Sequence, residues 1–89
     1  MRVAIVAALA AGVAMSASDA RADACGELWY ARNSIYKAGG YCFKTSRAIQ
    51  AFGNAGCQYD DVRDVPLSSR DRQRVGGIVR DEAAMGCRD

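Results

Sequence analysis

The chain has 89 residues, four cysteines and no histidine, and its 12 basic and 10 acidic side chains leave a formal charge of +2. So small an imbalance excludes the charge signature of a nucleic-acid-binding domain. The missing histidine removes the commonest acid–base group and a frequent metal ligand.

Residues 1–22 read as a secretory leader: Arg2 gives a positive start, Val3 to Met15 an apolar stretch, and Ala20-Arg21-Ala22 a small-x-small site for cleavage after Ala22, with Ala24 and Ser18 as alternative points. The apolar run falls short of the roughly 20 residues of a spanning helix, so no stable membrane insertion is expected once the leader is gone. Residues 23–89 then make one domain of about 67 residues, a size at which burial alone is marginal. Export carries the cysteines to an oxidising compartment, periplasmic or extracellular, where disulfides persist and decide stability.

The spacing predicts an all-α, three-helix domain. The first helix runs from about Gly26 to Ala38, with Leu28, Arg32, Ile35 and Trp29, Arg32, Tyr36 in adjacent rows and Gly39-Gly40 as the stop. A short second helix has Thr45 as N-cap, Ala48, Ile49 and Phe52 on one side, and Gly53-Asn54 as terminator. The connection from Asn54 to Leu67 is long for so small a domain and needs a pin, for which Cys57 is the obvious choice. A third helix begins at Ser68 or Ser69, where Ser68 and Asp71 make a capping-box-like pair, and ends at Gly86. Val75, Ile78, Val79 and Met85 form its apolar face, and Gly76-Gly77 weakens its middle.

Helix geometry ranks the three pairings open to four cysteines. The first helix is ~20 Å long, whereas the run from Ala38 to Cys42 reaches at most ~14 Å, which strains a Cys25–Cys42 bond. Cys25–Cys87 with Cys42–Cys57 is preferred, and Cys25–Cys57 with Cys42–Cys87 stays open. With no CxxC and wide, unequal gaps, the cysteines do not suggest a metal site, and no cofactor is expected.

Each long helix carries one charge within its apolar stripe, Arg32 in the first and Glu82 in the third. Either alone would be costly to bury. In antiparallel helices joined by Cys25 and Cys87, the two charges fall at similar height, which predicts an ion pair between them. The other outcome is that Arg32 snorkels to solvent or bonds loop carbonyls.

The string Cys25-x-x-Leu28-Trp29-Tyr30-Ala31-Arg32-Asn33, followed by Ile35-Tyr36, Gly40-Tyr41-Cys42-Phe43, Arg47-Ala48-Ile49, Phe52-Gly53-Asn54 and Val65-Pro66-Leu67-Ser68, resembles the YARHG domain family. Of the family's name string only Tyr30-Ala31-Arg32 is present, with Asn33-Ser34 in the last two places. The resemblance implies an extracytoplasmic bacterial module and supplies no mechanism.

No residue pattern here forms a catalytic motif, so the chain is expected not to be an enzyme. Asp60, Asp61 and Asp64 lack the spacing and central glycine of an EF-hand loop and read as a solvated acidic turn. Most of the aromatics belong in the core, but Tyr30 points away from Leu28 beside Asn33 and Lys37, where it could form a binding surface. Arg70, Arg74 and Arg80 lie on the outer side of the third helix, a face interrupted by Asp81. The expectation is therefore a structural or binding module of the cell envelope, its partner an unknown envelope component or protein. A small secreted inhibitor or effector acting on a protein such as a peptidase is the alternative.

Overall fold

A computed structural model of the protein describes residues 17–88. Its elements are helix α1 (Ala17–Ala38), helix α2 (Ser46–Phe52), a 3-10 turn (Val62–Asp64) and helix α3 (Ser69–Met85). Among the described residues the fold is all-α, three helices stapled by disulfides Cys25–Cys87 and Cys42–Cys57, with Cα–Cα separations of 5.5 and 5.1 Å. Most of the expected leader lies outside the described residues. Its last part, 17–22, belongs to α1, which therefore begins well before the expected Gly26. The run Ala20-Arg21-Ala22-Asp23-Ala24 holds no breaker, and one glycine at position 26 costs too little to stop a helix of this length.

The two long helices end in the same way. At α1 the Gly40 N–H bonds Lys37 O and the Tyr41 N–H bonds Tyr36 O, each at 3.1 Å, with Gly40 at φ +94°. At α3 the Gly86 N–H bonds Ala83 O at 3.2 Å and the Cys87 N–H bonds Glu82 O at 2.8 Å, with Gly86 at φ +72°. Both are Schellman turns, which satisfy carbonyls the helix leaves open and need a left-handed residue that glycine supplies. Each turn also delivers the next cysteine, Cys42 or Cys87, to its bridge. At the N-termini of α2 and α3, the Thr45 and Ser68 hydroxyls accept from Ala48 N and Asp71 N at 3.2 and 3.0 Å, so both short-range caps form as their sequence suggests.

α1 and α3 run antiparallel. Cys25, early in α1, bonds Cys87 just past α3, while Gly39, just past α1, lies against Val65 and Leu67 just before α3. Gly39 is required by that contact, because a Cβ there would come within 2.5 Å of Val65 Cγ1. Val65 is the most deeply buried side chain of the described residues, 2% exposed. The remaining core is small: Trp29, Phe43 and Ala48 cluster with partly buried Tyr36, Tyr41 and Phe52, while Ile35 and Val75 are also buried. Phe43 and Phe52 stack at 5.2 Å and Tyr41 meets Phe43 edge-on at 5.1 Å.

Residues 54–67 are a strap. The Asn54 side chain clips Phe43 in both directions, accepting from its N–H at 2.7 Å and donating to its carbonyl at 2.9 Å. Cys57 follows with its disulfide, then Tyr59 pairs with Tyr41 in an isolated parallel bridge, Cys42 N donating to Tyr59 O at 2.8 Å. Val65 plugs the far end. Two expected apolar-face residues do not pack inward: Ile49 is 42% and Val79 47% exposed. α2 has only two turns, and Ala48 and Phe52 already fill its contact; on α3, Val75 and Glu82 face α1 and leave Val79 at the edge of the seam.

Candidate functional site at the seam between α1 and α3

The core of the seam is a fork. Arg32 Nε donates to Glu82 Oε1 at 2.8 Å and its Nη2 to Oε2 at 3.1 Å, with the two side chains 15% and 13% exposed. A planar guanidinium matches a carboxylate in this two-point geometry, which orients both groups as well as neutralising them. Each charge thus has its partner where α1 and α3 cross, at the height the Cys25–Cys87 bond sets. The fork leaves a hollow of about 420 Å³ beside it, edged by the exposed valines Val62 and Val79.

On the opposite flank of the seam lies a groove of about 480 Å³. Ala24, Leu28 and Ala31 come from α1, and Ala84 and Met85 from α3. The exposed carboxylate-bearing residues Glu27 and Asp81 line it as well. Neither carboxylate has an ion-pair partner among the described residues. Every lining residue follows Ala22, so cleavage there would leave the groove whole. The Cys25–Cys87 bridge sits between Ala24 and the α3 terminus and fixes both walls.

Tyr30 walls a neighbouring hollow of about 530 Å³ together with Ala22, Asp23, Gly26, Glu27 and Ala31. Its ring lies 4.9 Å from Phe52 and it remains 55% exposed. The other two residues expected to share its surface do not. Asn33 is 7% exposed and its amide donates to Trp29 O at 2.9 Å, because at this position α1 turns toward the aromatic cluster. Lys37 is half-buried and donates to Gly53 O at 3.2 Å, closing the end of α2. The anticipated patch of Tyr30, Asn33 and Lys37 is therefore corrected to Tyr30 alone.

The other candidates are structural. Asp60 pairs with Lys44 at 2.8 Å and Asp61 with Arg63 at 2.7 Å. The Arg63 guanidinium, and then the Arg63 N–H, hold the Asp61 carboxyl down to about 2 from 3.8. Among the described residues no group of three or more His, Cys, Asp or Glu side chains converges on a metal position. All four cysteines are in disulfides.

Two features escape a reading of the sequence. The Arg47 guanidinium lies 3.8 Å from the Trp29 ring centroid, a cation–π lid over an otherwise buried indole. The presence of Glu27 and Asp81 in the lining of one groove is the other. Ala24, Glu27, Leu28 and Ala31 do share helical spacing, but Asp81 joins them only once the disulfide sets the register.

A small all-α module, closed by two disulfides, with its inward-facing polar groups committed to structure and an open seam between its long helices, is the class that fold and site define. The chain belongs to the YARHG domain family, whose model matches residues 2–82. No curated protein and no solved structure matches it. The name-string residues occupy one stretch of α1 and do unlike work: Tyr30 covers Phe52, Ala31 lines the groove, Arg32 makes the fork and Asn33 is buried. They define a scaffold position for each face of the helix.

Proposed function

We propose that the protein is an exported, non-enzymatic binding module of the bacterial cell envelope. The observation that carries this reading is the groove beside the Cys25–Cys87 bridge. Its floor is apolar, it is open and built on two helices, and two exposed carboxylates, Glu27 and Asp81, stand among its lining. Ligand sites of this kind bind through shape and a few placed charges. Four paired cysteines in a domain this small fit an oxidising compartment, which supports a periplasmic or extracellular location. An inhibitor acting through the segment from Asn54 to Leu67 would need that strap to stand out, and it is anchored at Asn54, Cys57, Tyr59 and Val65.

The test is capture of partners by the oxidised protein from cell-wall sacculi and from periplasmic extract. Retention that is lost on reduction supports a binding module. Retention on neither, with the disulfides intact, removes the reading.

A further inference from the structure

Building on the binding role proposed above, we infer that the α1–α3 groove receives a cationic amphipathic peptide segment of a partner protein. An apolar side chain seats between Leu28 and Met85, and a neighbouring lysine or arginine meets Glu27 and Asp81. The floor supplies the first half of this match. Ala24, Leu28, Ala31 and Met85 are only partly covered by the protein itself, and the volume of about 480 Å³ lies within the range of small-ligand pockets.

Charge supplies the second half. Glu27 and Asp81 are exposed and have no cation partner among the described residues, and no basic side chain lines the groove. Asp81 and Met85 also belong to the last turns of α3, whose C-terminal end carries partial negative charge that favours a cation. Leader removal adds an α-ammonium group at Asp23, which that residue's own carboxylate offsets. An anionic polymer of the envelope would be repelled from this groove. The basic side chains lie elsewhere, on the outer side of α3, where Arg72 and Arg80 border a separate hollow of about 330 Å³.

Preorganisation makes the site usable. Both walls are helices, and the disulfide fixes their spacing at 5.5 Å between Cα atoms one residue from Ala24. Little ordering cost therefore falls on the protein when a segment docks. Electrostatic complementarity of this kind sets partner choice and association rate more than total affinity.

The experiment is an NMR titration of the isotope-labelled, oxidised protein as secreted, using a short synthetic peptide of alternating lysine and leucine pairs. A peptide with glutamate in place of lysine and an oligolysine of equal length serve as comparators. The lysine–leucine peptide should shift the amides of Ala24, Leu28, Ala31, Ala84 and Met85 in a saturable way. The E27K/D81K double variant should weaken it by about tenfold, whereas R72Q/R80Q should leave it unchanged. Both pairs are exposed, so a thermal melt of each variant should match the parent.

Equal binding of the glutamate peptide, shifts centred elsewhere, or indifference to E27K/D81K would overturn the inference. If oligolysine alone matched the amphipathic peptide, the apolar floor would be irrelevant and the inference would fall as well. These outcomes are separate from the capture test. A protein that retains an envelope partner yet ignores the peptide keeps its binding role and loses this partner chemistry.

Discussion

The two ends of this molecule are held by different physics. At one end Phe43, Ala48 and Phe52, the Asn54 clip and the Val65 plug bury apolar surface and satisfy backbone groups in a dense cluster, which Trp29 joins from the first half of α1. At the other, α1 and α3 are joined by one disulfide and one Arg–Glu fork, and the apolar side chains around them are left half-open. A chain this short has too little apolar area to close both ends. Covalent linkage at the second end allows the seam to stay open, and the open seam is the candidate site.

Removal of the disulfides one at a time tests that comparison most directly. A C25A/C87A variant opens a loop with sequence separation 62, against 15 for C42A/C57A. Loop-closure entropy alone puts the losses at about 4 and 3 kcal/mol. The gap should widen in practice, because the aromatic cluster survives loss of the second bridge and nothing comparable backs up the first. Urea unfolding of both variants measures it. A larger loss from C42A/C57A would break the contrast between the two ends.

Glu82→Gln comes next in size. It removes the charged half of the two-point fork with Arg32, for an expected cost of about 1–3 kcal/mol, below the range for a fully buried pair because the seam admits water. The same denaturant experiment reads it. Amide exchange should quicken around residues 24–28 and 79–86 while Phe43 and Tyr59 stay protected, and uniform quickening would mean that the ends are one cooperative unit.

Gly39→Ala probes the dense end by the opposite route. The new Cβ meets Val65 Cγ1 at 2.5 Å, and Val65 has no free space to retreat into, so overpacking should cost about 1–3 kcal/mol. The double variant G39A/V65A should recover part of this loss, since it exchanges the clash for a small cavity. A neutral G39A, measured by thermal melt, would show that the dense end is looser than its packing indicates.

The helices were legible because their signals are local. Thr45, Ser68, Gly53 and Gly86 mark ends by capping chemistry that acts within a few residues. The disulfide pairing and the Arg32–Glu82 register were legible for a related reason, since helix length fixes which ends can meet. Asn33 and Lys37 were placed wrongly because their partners, the Trp29 carbonyl and the end of α2, depend on how α2 folds back over α1. No spacing rule in one helix reveals that. The Asn54 clip and the rim of Glu27 and Asp81 are tertiary in the same sense. α1 begins earlier than its apolar rows indicate, because Ala20 to Ala24 continue the helix without contributing to those rows.

The smallest effect concerns the clip of Asp61 and Arg63 in the strap. Asp61 has a folded pKa of about 2 against an ordinary 3.8, lowered first by the Arg63 guanidinium and then by the Arg63 N–H. Because the folded value is the lower one, its contribution is complete above the ordinary value and is lost as pH falls through about 2. Carboxyl NMR should place the midpoint near 2, and Arg63→Gln should return it toward 3.8. Arg63 is exposed and Asp61 partly so, and the pair is screened by salt, so global stability should hardly respond. The informative readout is local: on acidification, exchange at the Asp64 and Val65 amides should rise as the 3-10 turn loosens, while Cys42 and Tyr59 keep their protection. The bridge Cys42–Cys57, the Asn54 clip and the Val65 plug each hold the strap without Asp61. If the whole strap were released together, its anchors would be one interdependent set, and the dense end would owe its order to surface charge as well as to burial.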